Sequence, residues 1–156
     1  MRIQLLTILF ITSVVHALPA AQIDKSKSSE DSNGWKKTAD SFMDNLAANR
    51  IDAAVDLMEP AFLKALGSRD SAKSALVHLF DYCGRPLDSQ FRHEERSYKQ
   101  YPDGQRKEMR KFFYDASTNQ YAKGVCFFAI EIVPGDTGSG GYRVTTFGPL
   151  RRLGGR

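Results

Sequence analysis

At 156 residues, 42% of them hydrophobic and 26% charged, the chain has the arithmetic of one soluble globular domain, which excludes a disordered tail or a multidomain assembly. Lys and Arg outnumber Asp and Glu by 22 to 18, and a formal charge of +4 is too small a surplus to call for a nucleic-acid partner. The two cysteines, Cys83 and Cys126, exclude a disulfide-dense scaffold and cannot by themselves complete a four-ligand zinc site.

Arg2 precedes an apolar or small run from Leu5 to Val15, and Val15-His16-Ala17 and Leu18-Pro19-Ala20 then offer the small residues that a signal peptidase accepts. About 11 apolar residues fall short of the ~20 that cross a bilayer as a helix, so residues 1–20 predict an export signal rather than an anchor. Cleavage is expected after Ala17 or Ala20, leaving a secreted or periplasmic protein. Residues 21–33 then read as a disordered tether, because QIDKSKSSEDSN carries one aliphatic side chain, Ile23, and cannot offset its ordering entropy. No later stretch is apolar enough to span a membrane, so no anchor is expected after signal removal.

A single domain is expected over residues 34–150. Trp35, Ala39, Phe42, Met43, Leu46 and Ala47 recur at helical spacing behind a potential Asn33 cap. Ile51, Ala54, Val55 and Met58 repeat the pattern until Pro60, which ends that helix or opens the next. Phe62, Leu63 and Leu66 continue to Gly67. After a polar break from Ser68 to Ser71, the stripe Ala72, Ala75, Leu76, Leu79, Phe80 and Cys83 closes at Gly84 and Pro86.

Beyond Pro86 the period falls to near two. Strands are predicted over Ser89 to Gln100, Gln105 to Ala116, Gly124 to Val133 and Tyr142 to Phe147. The separators Tyr101-Pro102-Asp103-Gly104, Ser117-Thr118-Asn119-Gln120 and Gly135 to Gly141 each suit an antiparallel hairpin. Residues 151–156 read as a flexible basic tail. Helices in one run and strands in the next predict an α+β fold, with N-terminal helices packed on a curved, cone-like four-stranded antiparallel sheet.

This order resembles the nuclear-transport-factor-like, cystatin-like α+β cone superfamily, in particular its small exported bacterial domains. The residues that carry the likeness are Trp35, the Phe42 to Leu46 stripe, the repeat Asp52-Ala53-Ala54-Val55-Asp56-Leu57-Met58, the Gly84-Arg85-Pro86-Leu87 turn and the Tyr101 to Gly104 hairpin. The resemblance implies a curved sheet around a helix with a pocket in the cone. That frame hosts isomerases, dehydratases and binding modules alike, so it does not choose a function.

An enzyme of that superfamily sets an Asp or Tyr acid/base inside the cone, where burial tunes its pKa. Tyr82, Tyr98, Tyr114, Glu131 and Arg143 are the candidates here for polar groups lining a ligand site, none with a catalytic label. Glu131 interrupts an apolar strand, on the face opposite Cys126, Phe128, Ile130 and Ile132; if that second set faces the helices, Glu131 is exposed. His78 and His93 have no second ligand at metal spacing, and no metal or other cofactor is called for. Arg92, Glu94, Glu95, Arg96 and Lys99 read as a solvated face with cross-strand ion pairs to Lys107, Glu108, Arg110 or Lys111. The rival reading is an anion patch extended by Arg143, Arg151 and Arg152. Gly138-Ser139-Gly140-Gly141 lacks the following helix that a phosphate cradle needs.

Cys83 falls at a helix C-terminus and Cys126 on the sheet's apolar face, and with export these positions predict a disulfide; the alternative is two buried free thiols. The expected function is an exported non-enzymatic domain, binding a small apolar ligand or a protein partner in its cone. The alternative is a lyase or isomerase using a pocket Tyr or Glu. Two polar groups converging on an apolar cavity distinguish the second from a cone filled by Phe and Met.

Overall fold

The computed structural model describes residues 27–100, 104, 106–124, 126–135 and 141–151. The export signal, its two cleavage points, the start of the tether, most of the first hairpin tip, most of the Gly-rich loop and residues 152–156 lie outside the described residues. Four helices come first: α1 (Lys27–Ala47), α2 (Ile51–Asp56), α3 (Pro60–Ala65) and α4 (Arg69–Cys83). Four strands follow: β1 (Pro86–Gln100), β2 (Arg106–Thr118), β3 (Cys126–Pro134) and β4 (Tyr142–Arg151). They form one sheet in the order β1-β2-β3-β4, antiparallel throughout, which makes the fold α+β with the helices ahead of the sheet.

α1 buries the stripe Trp35, Ala39, Phe42, Met43 and Leu46. The helix starts at Lys27, so the expected tether is helical from residue 27 onward and Asn33 lies inside the helix rather than capping it. Lys, Ser, Glu and Asp all continue a helix once its apolar end is docked, which is why a polar run could not mark the boundary. Docking is close at Gly34: a Cβ there would come within 2.3 Å of a Tyr142 ring carbon. The next residue, Trp35, packs on the same tyrosine with ring centroids 4.5 Å apart. On the sheet side, the Arg110 guanidinium lies 4.8 Å from the Trp35 ring centre.

Pro60 opens α3, with Glu59 extended at the N-cap (ψ 133°), as proline requires of the residue before it. The connection into α3 lies along the outer edge of β4. There the Val144 N–H donates to the Leu57 carbonyl at 2.9 Å and the Glu59 N–H donates to the Val144 carbonyl at 2.9 Å. Met58 thereby forms an isolated parallel bridge with Val144. α4 begins earlier than its apolar stripe suggests. The Ser68 side chain caps it by accepting from the Ser71 N–H at 3.0 Å, so most of the polar break is the helix's first turn.

Phe112, Tyr114 and Ala116 of β2 and Cys126, Phe128, Ile130 and Ile132 of β3 form the buried face of the sheet, toward the helices. One end of this interior is closed covalently: Cys83 and Cys126 form a disulfide with Cα atoms 6.0 Å apart. Thr118 reinforces the join by donating its hydroxyl proton to the Cys83 carbonyl at 2.7 Å, while accepting from the Gln120 and Tyr121 N–H groups at 3.2 and 3.0 Å. Gly84 turns the chain from helix to sheet at φ 78°, where a Cβ would come within 2.5 Å of the Asn119 side-chain oxygen.

Several strand bounds differ from the sequence reading: β1 begins at Pro86 rather than Ser89, and β3 runs Cys126–Pro134 rather than Gly124 to Val133. β2 continues through Thr118, and β4 continues past Phe147, so Leu150 pairs with Phe127 and Arg151 belongs to the strand instead of a tail. Pro149 is tolerated because β4 is an edge strand, where a missing N–H need not break a ladder.

Candidate functional site

The five residues singled out from the sequence do not meet. Tyr82, in the last turn of α4, and Tyr98, on β1, are exposed, 54% and 59%. Tyr98 stands opposite Glu108 while Tyr114 stands opposite Phe91, so the two tyrosines lie six residues apart along the sheet, about 20 Å. Tyr98 carries the Arg106 guanidinium 4.4 Å above its ring. Glu131 is on the face away from the helices, as the alternation requires, yet it is half-buried and pairs with Lys111 at 2.7 Å. Arg143 is half-buried on the edge strand β4, opposite Val133 of β3, its Nη1 donating to the Asp56 carbonyl at 3.3 Å.

Tyr114 alone points into the interior, and it is already engaged. Its hydroxyl donates to Asp40 of α1 at 2.7 Å, and the second oxygen of that carboxylate holds Lys36 at 2.6 Å. Burial, reinforced by the adjacent Asp40 carboxylate, pushes the phenol well above its ordinary value. It therefore stays protonated at neutral pH and pins α1 to the sheet. Around it the space under α1 is filled: Phe91 lies against both Phe112 and Tyr114, and Phe128 stacks on Phe147 at 5.5 Å. Aromatic side chains thus meet beneath α1, where the apolar stripes of α1, β2 and β3 converge.

β1 and β2 are laced with ion pairs, among them the expected cross-strand pair of Glu94 with Arg110. Arg110, nearly fully buried, holds Glu108 at 2.9 Å on its own strand and Glu94 across the pair at 3.7 Å. The register sets Arg96 opposite Arg110 and Lys99 opposite Lys107, so like charges face each other. A β-bulge between Phe91 and His93 releases Arg92 from the ladder, and its guanidinium reaches Asp115, a carboxylate only 2% exposed. The Gly124 N–H donates to the other Asp115 oxygen at 2.7 Å. Burial alone would raise the Asp115 carboxyl, but the bonds from Arg92 and Gly124 outweigh it and hold the group below its ordinary value. Arg92 is therefore a structural clasp and the anion-patch reading loses its first member.

Open apolar space lies elsewhere. A cleft of about 370 Å³ runs between α3, α4 and β4, lined by Met58, Phe62, Leu66, Ala72, Ala75, Leu76, His78, Leu79 and Phe147. Met58, Ala72, Leu76 and Phe147 are its buried floor, and Phe62, Leu66, Ala75 and Leu79 are half-buried walls. α3 explains why the space stays open. Its Phe62 and Leu63 turn toward the core, but none of its residues is fully buried, since the short helix is held off by the Leu57 to Glu59 segment on the β4 edge. Both walls were visible in the sequence as the stripes of the third and fourth helices, but helical spacing carries no sign of an open space between them. The separate signal was His78, a polar residue next to the apolar stripe of α4.

Comparison of the chain with protein-family models, curated proteins and solved structures gives no match. Among the described residues no group of three His, Cys, Asp or Glu could hold a metal ion, and no helix is long and apolar enough to cross a membrane. The chemistry this site can offer is burial of apolar surface: it has the volume of a small-ligand pocket and one polar side chain at its mouth.

Proposed function

We propose that this is an exported, non-enzymatic α+β domain that binds a small apolar ligand in the cleft between α3, α4 and β4. The observation that carries the reading is the cleft itself, an apolar recess of about 370 Å³ beside an interior that is otherwise packed with aromatic rings. Each methylene moved from water into such a lining contributes about 0.8 kcal/mol, so a ligand with a short hydrocarbon body gains affinity without any directed polar contact. The alternative of a lyase or isomerase has less support, since its acid/base would be Tyr114 or Glu131 and both are committed to Asp40 and Lys111.

Export is part of the proposal. It is supported by the apolar run from Leu5 to Val15 and by the Cys83–Cys126 disulfide, which suits an oxidising compartment. Mass spectrometry of extracellular or periplasmic protein would show a chain beginning just after Ala17 or Ala20; an intact Met1 on soluble cytoplasmic protein would refute it. The likeness to the nuclear-transport-factor-like superfamily belongs to the same proposal and rests on the order of elements.

The cleft is tested by titrating the full mature chain with N-phenylnaphthylamine, whose fluorescence rises in apolar surroundings. The wild-type protein is expected to bind one equivalent. Ala75→Trp, which fills the cleft from the α4 wall, is expected to abolish binding while leaving the circular dichroism spectrum unchanged. No binding by the wild type, or equal binding by the two, would overturn the reading.

A further inference from the structure

Resting on that reading, we infer that the cleft takes a linear carboxylic acid, its alkyl chain between α3 and α4 and its carboxylate at His78. The lining divides sharply. Eight of its side chains are aliphatic, aromatic or thioether and one, His78, is polar. A ligand with polar groups at several points along its length would leave them unpaired against this wall, at a cost that apolar burial would not offset. The lining therefore selects a molecule that is apolar along its body and polar at one end only.

The position of His78 says where that end sits. His78 follows Ala75 by three residues and precedes Leu79 by one, on the border of the apolar stripe, and its side chain is 79% exposed. The polar head is thus at the mouth, in contact with water, while the body is inside. The ring is oriented by Asp81, one turn further along α4, whose carboxylate lies 3.4 Å from Nδ1. Nδ1 is engaged with that carboxylate, which leaves Nε2 as the ring nitrogen for the ligand. An Nε2–H donates to a carboxylate head, a hydrogen bond strengthened because its acceptor is ionised. An ammonium head finds no carboxylate to pair with in this lining, since Asp81 is not one of its residues.

Competition against bound N-phenylnaphthylamine separates this inference from the reading beneath it. Dodecanoate, 1-dodecanol and dodecylamine share one tail and differ in the head. With wild-type protein, dodecanoate is expected to displace the fluorophore at about tenfold lower concentration than dodecanol or dodecylamine. His78→Ala is expected to bring dodecanoate and dodecanol to within about twofold of each other, with displacement by both retained, because the tail site is intact. A thermal melt close to wild type would verify that this exposed substitution leaves the fold in place. Equal displacement by the acid and the alcohol, preference for the amine, or an acid preference that survives in His78→Ala would overturn the carboxylic-acid assignment and leave the apolar cleft standing. If wild-type protein binds neither the fluorophore nor any of the three amphiphiles, the cleft reading fails and the inference fails with it.

Discussion

Phe147 separates two apolar regions that the same sequence features produced and that ended differently. On one side its ring packs edge-on against Phe42 at 5.2 Å and flat against Phe128 at 5.5 Å, within an interior where Phe42, Phe112 and Phe128 are fully buried. On its other side it is the floor of the cleft, facing Phe62 and Leu66 of a helix that buries nothing completely. The filled side is roofed by α1, 21 residues long, whereas the open side is roofed by α3, which has six. About two turns of helix cannot bring enough side chains to close the gap that about six turns close. An apolar stripe says which way a helix faces; its length and tethering decide whether the space in front of it is filled.

The largest expected effect tests the filled side. Phe128→Ala removes a fully buried ring between β2 and the Phe147 wall, and should cost about 3–5 kcal/mol by chemical denaturation, transfer and cavity terms together. It is also expected to enlarge the volume reachable from the cleft if the Phe147 ring relaxes into the space. A loss below about 1 kcal/mol would mean that the interior is not packed as described.

The disulfide comes next. Cys83 ends α4, one wall of the cleft, and Cys126 starts β3, at a sequence separation of 43. Opening that loop in the unfolded chain should cost about 4 kcal/mol by the chain-entropy model, so the Cys83→Ser, Cys126→Ser double variant is expected to melt far below the wild type. Thiol titration of denatured, unreduced protein should find no free thiol. Two thiols per chain would remove both the bond and the main support for export.

The helical stripes, the change of period near Pro86 and the order of the strands were legible because burial imposes periodicity on the residues themselves. Trp35, Phe42, Leu76, Phe128 and Ile130 are core in sequence and in structure. The cysteine pair was legible too, as two buried positions on elements that must pack together. Boundaries set by partners were not. The polar first turns of α1 carry no apolar period to mark them, and the length of β4 depends on its lying at a sheet edge, where Pro149 does no harm. The cleft was illegible for a stronger reason: Phe62, Leu66 and Leu79 have the same spacing whether the space in front of them is occupied or empty.

The outer face of the sheet provides a control, since it belongs to neither region. Asp115 is held below its ordinary value in the fold by Arg92 and the Gly124 N–H, despite its burial. Its contribution to stability is therefore present above the unfolded-state carboxyl value of about 3.9 and is lost as pH falls through the lower folded value. Asp115→Asn should cost about 1–3 kcal/mol at neutral pH, and the gap to wild type should shrink below about pH 4. A gap that is constant from neutral to acid would show that the charge plays no part. Binding of N-phenylnaphthylamine should be unaffected at neutral pH.

The smallest expected effect on stability decides the comparison. Phe62 is half-buried and faces the open cleft, so Phe62→Ala removes part of one ring's contact and creates no closed cavity. Alanine is also the better helix former, by roughly half a kcal/mol, which offsets some of that loss. The net cost should be about 1 kcal/mol or less, against the several expected for the same change of side chain at Phe128. Ligand binding should move the other way: Phe62→Ala is expected to weaken retention of N-phenylnaphthylamine markedly, while its melt stays near wild type. Equal destabilisation at Phe62 and Phe128 would mean that α3 closes onto the sheet in solution. The two sides of Phe147 would then be one core, and no ligand site would remain between them.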